Sequence, residues 1–155
     1  MGRMENNESI RLDGTHLMLD TFGCDKKALA NTELIQKFLN ELPEALGMKK
    51  LIAPYLISYP GGDSWDRGGI TAIMLIAESH ISIHTFPQDG FFTADVYSCK
   101  PFDVEKALEL FREYFKGKDE KIKLAKRELE FVRTKNLAML MNKAPIKTKA
   151  RAKFK

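Results

Sequence analysis

The sequence predicts an α+β fold, a two-layer sandwich with a mainly antiparallel sheet and helices on one face. Three observations carry that prediction. Residues 70–77, ITAIMLIA, form a nearly continuous apolar run, the mark of a strand buried in a sheet. An Asp89-Gly90 turn separates two strand-like runs, a strong hairpin signal. Two stretches repeat apolar residues at helical spacing, and they are separated by the whole run of central strands.

The elements follow in order. Residues 1–13 read as a flexible leader. Residues 14–22 read as a strand, with Leu17, Leu19 and Thr21 on one face and His16, Met18 and Asp20 on the other. Cys24-Asp25 begins a turn. Asn31 can cap a helix reaching to about Gly47, with Leu34, Ile35, Phe38, Leu39 and Leu42 as its apolar stripe. Pro43 marks a kink or a new turn in it. Residues 50–59 read as a strand and 60–69 as a loop, in which four glycines surround Trp65. That loop reads equally as a pocket lid carrying an aromatic or as a plain connector with a packed Trp. Strands follow at 70–77, 80–85 and 91–99. Asp103 caps a helix over 104–116, stopped by Gly117. Residues 121–133 read as a last strand. The sheet face without helices predicts a homodimer.

Bulk properties narrow the function classes. A chain of 155 residues suits one domain, assigned to residues 14–135, with a basic, disordered tail at 136–155. Hydrophobic residues at 44% and charged residues at 30% make an ordinary globular balance. No apolar run approaches the ~20 residues of a membrane span, and the start has no signal-peptide core, so a cytoplasmic protein is expected. Two cysteines, Cys24 and Cys99, are too few for a disulfide framework and predict free thiols. The net charge of +4 belongs to the tail. Residues 143–155 hold six Lys/Arg and no acid, and without them 19 basic residues face 21 acidic ones. A solvated end accounts for this, and nucleic-acid binding is not predicted.

The chemistry concentrates in residues 78–99, where Glu78-Ser79-His80 precede His84 and Cys99. His80 and His84 are spaced as a helical metal pair would be. On a strand, however, four residues span ~13 Å, too far to share one ion, so no metal is predicted. A serine hydrolase would need a G-x-S-x-G elbow, which is absent around Ser79. From spacing alone, Ser79 and His84 finish a strand and its turn, and Cys99 is a buried strand-end thiol.

The run AESHISIHTFPQDG, with FFTADVYSC after it, closely resembles the prokaryotic S-adenosylmethionine decarboxylase proenzyme family. The family hallmark is E-S-H-x-x-I-H-T-aromatic-P-E, followed by a D-[VL]-[FY]-T-C strand. GTHLMLDTFGCD resembles the family's G-R-H-L opening and its later Cys-Asp. The resemblance covers about residues 12–135.

It implies a self-processing, pyruvoyl-dependent decarboxylase of polyamine biosynthesis. The Glu78–Ser79 bond would be the cleavage site, giving a β-chain 1–78 and an α-chain 79–155. The Ser79 hydroxyl would attack the Glu78 carbonyl, with Thr71 supporting the oxyanion where the family usually has Ser. His84 would remove the α-proton of residue 79, and the α-chain would be left with a covalent pyruvoyl group. That group would take the substrate amine as a Schiff base and act as an electron sink. Cys99 would return a proton to the substrate α-carbon.

Two departures concern substrate recognition. Gln88 stands where the family has a Glu associated with the ribose hydroxyls, and Trp65 stands for the aromatic that stacks on adenine. S-adenosylmethionine is the expected small-molecule substrate. The alternative is L-arginine or L-ornithine, decarboxylated by relatives with the same processing machinery. Asp63 and Asp66 would then face the distal cation. A third reading, a basic-tailed binding protein, would require the processing set to be vestigial. No substitution at Ser79, His84 or Cys99 supports it.

Overall fold

The computed structural model describes residues 8–133. The described residues divide into two compact units, Leu12–Leu129 and a smaller one that contains residues 8–11 and 130–133. In the smaller unit the Ser9 hydroxyl donates to the Glu130 carboxylate at 3.1 Å. The predicted tail at 136–155 lies outside the described residues.

The elements are β1 (Glu8–Phe22), α1 (Lys26–Leu29), α2 (Thr32–Ala45), β2 (Tyr55–Tyr59), β3 (Gly69–Ile76), β4 (Ser79–Phe86), β5 (Phe91–Ser98), α3 (Val104–Phe115) and β6 (Asp119–Arg133). One sheet takes all six strands in the order β2-β3-β4-β5-β1-β6. Every pairing from β2 through β1 is antiparallel. β6 runs back along β1, with Lys118 bonded to Phe22 and Arg127 against Gly14. This is the predicted α+β sandwich.

Period-2 alternation sets the two faces of the sheet. Leu17 and Leu19, Ala72, Met74 and Ile76, Ile81 and Ile83, and Phe92, Ala94 and Val96 point to the helices and are buried. There they meet Ile35, Phe38, Leu39 and Leu42 of α2 and Ala107, Leu108, Phe111 and Phe115 of α3. Phe38 packs on Phe111 and Phe115 with ring centroids 4.8 and 5.1 Å apart. Side-chain caps start each helix: Asp25 for α1, Asn31 for α2 and Asp103 for α3. Buried Thr85 ties the layers together, accepting from the Ile70 amide and donating to the Leu29 carbonyl.

The opposite sheet face carries no helix. It presents Thr71, Ile73 and Leu75 of β3, His80, Ser82 and His84 of β4, and Thr93, Asp95 and Tyr97 of β5. Ile73 and Leu75 are exposed, with Tyr55, Ile57 and Tyr59 beside them on β2. Among the described residues no helix is long and apolar enough to cross a membrane.

Several boundaries differ from the sequence reading. β1 begins at Glu8, inside the expected leader, because partly buried Ile10 and Leu12 continue its alternation. β2 is shorter than 50–59. Pro54 has no amide hydrogen to donate, and Lys50 forms only an isolated bridge with Ile76. α2 runs through Pro43 to Ala45, and the expected turn after Cys24 holds the four-residue α1. Lys116, not Gly117, takes the left-handed end of α3, with φ 54°. Gly117 instead passes so close to Thr21 that a Cβ would strike it.

Gly69 opens β3 directly against β4, and a Cβ there would collide with the Thr85 carbonyl oxygen. The neighbour is backbone, so it cannot swing aside. Gly69→Ala is expected to cost about 3 kcal/mol, read as a lower midpoint in urea unfolding with an unchanged slope.

Candidate active site

Glu78 and Ser79 occupy the tight connection from β3 to β4, where only Ala77 and Glu78 separate the two strands. Both backbone and side chain of Glu78 are held there. Its carbonyl oxygen accepts the Cys99 amide hydrogen at 2.8 Å. Its carboxylate accepts from the Lys49 amide at 3.1 Å and lies 3.8 Å from the Lys100 ammonium. Ala77 in turn donates to the Lys49 carbonyl. Ser79 has φ 155°. Among the described residues only Lys116 shares a positive φ without being glycine. The Ser79 hydroxyl lies 3.1 Å from Nδ1 of His80. Ser79 pairs with Ser98 across the sheet, which brings Cys99, half-buried, to the Glu78–Ser79 peptide.

The open face continues this cluster. In register, Leu75, His80, Tyr97 and His16 form one row across β3, β4, β5 and β1. The Tyr97 ring touches His80 at 5.7 Å and His16 at 5.4 Å, and the Arg127 guanidinium lies over it at 4.8 Å. His16 Nε2 meets the Asp95 carboxylate at 2.7 Å. A cleft of about 320 Å³ opens beside this row, between His16, Tyr97, Arg127 and Glu128.

Thr71 and His84 form a second group. They face each other in register, with the Thr71 hydroxyl 3.2 Å from His84 Nδ1. His84 is five residues along β4 from Ser79, and Thr71 is five along β3 from Ile76, the partner of Ser79. At ~3.3 Å per residue each separation is ~16 Å. One copy of the chain therefore brings Glu78, Ser79 and Cys99 together, and separately joins Thr71 to His84.

Gln88 lies beyond this second group, in the turn after β4. Its amide donates to the Arg67 carbonyl at 3.3 Å, and Arg67 pairs with Asp89. Gln88 and Arg67, together with Tyr59, Gly68, Gly69 and Pro87, line a shallow cleft of about 330 Å³. Trp65 stands 93% exposed on the neighbouring loop. The loop acids are turned inward. Asp63 accepts the amides of Trp65 and Asp66, which hold its carboxyl below the usual range, and Asp66 accepts the Gly68 amide.

The other thiol is inert. Cys24 is 7% exposed, and burial, with Glu120 adding, pushes its pKa up to about 11. The sequence reading gives His80 no role, and the structure adds its contact with the Ser79 hydroxyl to the site.

A family model described as S-adenosylmethionine decarboxylase matches residues 15–128. An S-adenosylmethionine decarboxylase proenzyme of Clostridium botulinum is 35% identical over 105 residues, covering 67% of this chain and 84% of that protein. One of Thermococcus kodakarensis is 31% identical over 122 residues, 78% of this chain and 80% of the relative. The crystal structure of the adenosylmethionine decarboxylase from Aquifex aeolicus is similar, with a TM-score of 0.63 and 26% identity, over 76% of this chain and 92% of that one. The match spans both residue groups described above, and with it the chain belongs to the S-adenosylmethionine decarboxylase family.

Proposed function

We propose that this chain cleaves itself between Glu78 and Ser79 and then decarboxylates S-adenosylmethionine through a pyruvoyl group made from Ser79. One observation carries the reading: the Glu78 carbonyl is hydrogen-bonded by the Cys99 amide in the same connection that presents the Ser79 hydroxyl. Attack by Oγ on that carbonyl closes a five-membered ring of Glu78 C and Ser79 N, Cα, Cβ and Oγ. The negative charge falls on the oxygen that the Cys99 amide already contacts, where a fixed donor is most effective. The amide becomes an ester, and loss of the α-proton of residue 79 releases the β-chain.

The residues present fit a pyruvoyl group at position 79, since that position is half-buried, lies beside Cys99 and has its hydroxyl against His80 of the open sheet face. Such a group supplies an electron-withdrawing carbonyl that takes the substrate amine and accepts the electron pair left by carbon dioxide. Cys99 returns the proton to the substrate α-carbon. Cys99→Ala is expected to cleave normally but to turn over about 10²-fold more slowly or worse, checked by carbon dioxide release from fully processed protein.

Thr71 and His84 join this site from a second copy. The ~16 Å between them and Ser79 within one chain cannot be closed by side-chain rotation. The open sheet face, which carries Thr71, His84 and His80, also exposes Ile57, Ile73, Leu75, Tyr55 and Tyr59, an apolar surface suited to a like surface. A homodimer packed face to face would set each Ser79 and Cys99 opposite the other copy's Thr71, His84 and Gln88.

The two curated relatives described above act, by their names, on S-adenosylmethionine, and that substrate is the one proposed. The arginine or ornithine alternative is not favoured. Asp63 and Asp66 each direct one carboxylate oxygen, Oδ1, to loop amides, and none of the similar proteins described above is named for an amino-acid substrate. Carbon dioxide release from carboxyl-labelled S-adenosylmethionine, arginine and ornithine tests the reading. Release from an amino acid in place of the nucleoside would overturn the substrate assignment.

A further inference from the structure

We propose that His80 is the base that activates Ser79 for self-cleavage, an inference that rests on the self-processing reading above. A serine hydroxyl is a weak nucleophile until a neighbouring group takes its proton as the new bond forms. Among the described residues, His80 Nδ1 is the basic atom recorded in hydrogen-bond contact with Ser79 Oγ, at 3.1 Å. The distance suits proton transfer. His84 of the same chain is ~16 Å away along the strand and engaged with Thr71.

The surroundings fix the imidazole. The Tyr97 ring packs edge-on against it at 62°, and Tyr97 itself contacts the His16 ring and the Arg127 guanidinium. With Nδ1 unprotonated, the hydroxyl donates to it, and Nε2 carries the ring hydrogen.

The step balances within the chain. The Ser79 hydroxyl proton passes to Nδ1 as Oγ bonds to the Glu78 carbonyl carbon. The resulting imidazolium then gives a proton to the Ser79 nitrogen. The C–N bond breaks, leaving an ester between Glu78 and Ser79, a free amine and neutral His80. No outside reactant is needed. His80 thus serves the formation of the ester, and His84 its later elimination.

The experiment compares wild type, His80→Gln, His80→Ala and His84→Ala. Cleavage is followed by denaturing intact mass, with and without hydroxylamine, which cuts the ester. Gln keeps a hydrogen-bond acceptor near Oγ but cannot take the proton, and it preserves size should Ala disturb the fold. His80→Gln is expected to slow cleavage about 10²-fold or more, with no hydroxylamine-sensitive species. Added imidazole should partly restore cleavage in His80→Ala. His84→Ala should accumulate the hydroxylamine-sensitive ester. Cleavage of His80→Gln at the wild-type rate, with wild type itself cleaved, would overturn the role of His80 alone. An uncleaved wild type would instead overturn the self-processing reading.

Discussion

Ser79→Ala is expected to remain one 17.7 kDa chain and to release no carbon dioxide from S-adenosylmethionine. The two losses come together because one oxygen serves both. Without Oγ the five-membered ring cannot close and no ester forms. Without the ester, residue 79 never becomes the carbonyl that takes the substrate amine. The fold should survive, because the side chain is half-buried at a strand end and its recorded hydrogen bond is to His80. Thermal unfolding within a few degrees of wild type is the control. Ser79→Cys, which keeps a nucleophile, should retain slow cleavage. Full cleavage of Ser79→Ala at the same bond would remove Ser79 from the chemistry.

The second large effect concerns two inactive variants that rescue each other. In the proposed dimer, each site takes Ser79 from one copy and His84 from the other. Ser79→Ala alone should not cleave, and His84→Ala alone should stall at the ester. Co-expressed with distinguishable tags, they form mixed dimers with one intact pair: Ser79 from the His84→Ala chain and His84 from the Ser79→Ala chain. The His84→Ala chain should then be cleaved and blocked by a pyruvoyl group, while the Ser79→Ala chain stays whole. Absence of any rescue in verified mixed dimers would contradict a shared site. The physical argument is the strand rise alone: five residues of β4 separate Ser79 from His84, and a strand does not fold back within that length.

Much of the fold was legible in the sequence where a single pattern dominated. The apolar run at 70–77 is β3, shifted by one residue to Gly69–Ile76, the Asp89-Gly90 turn joins β4 to β5, and Leu17, Leu19 and Thr21 face the core as the alternation requires. α2 buries Ile35, Phe38, Leu39 and Leu42 of its predicted stripe, with Leu34 only partly buried, and Asn31 and Asp103 cap the two amphipathic helices. Less legible were features set by tertiary contacts. The four residues of α1 are too few to show helical periodicity. The early start of β1 depends on β6, a partner a hundred residues away. Lys116 takes a left-handed conformation that local propensity assigns to Gly117, whose own role is to clear Thr21.

The site divides in the same way. The motif around Ser79 singles out the candidate residues, and the sheet register determines which of them meet. The rise per residue that rules out a metal shared by His80 and His84 also separates Ser79 from His84. The partition into two groups was therefore implicit in their spacing. The contact of His80 with Ser79 was not, because neighbouring residues on a regular strand point to opposite faces. The φ of 155° at Ser79 departs from that regular geometry at the Glu78–Ser79 peptide.

The most direct measurement is the intact mass of the purified protein under denaturing conditions. The account predicts two chains, residues 1–78 and 79–155, with the second lacking a free amino terminus and carrying the mass of a pyruvoyl group in place of Ser79. A single 17.7 kDa species that persists on incubation and resists hydroxylamine would contradict it.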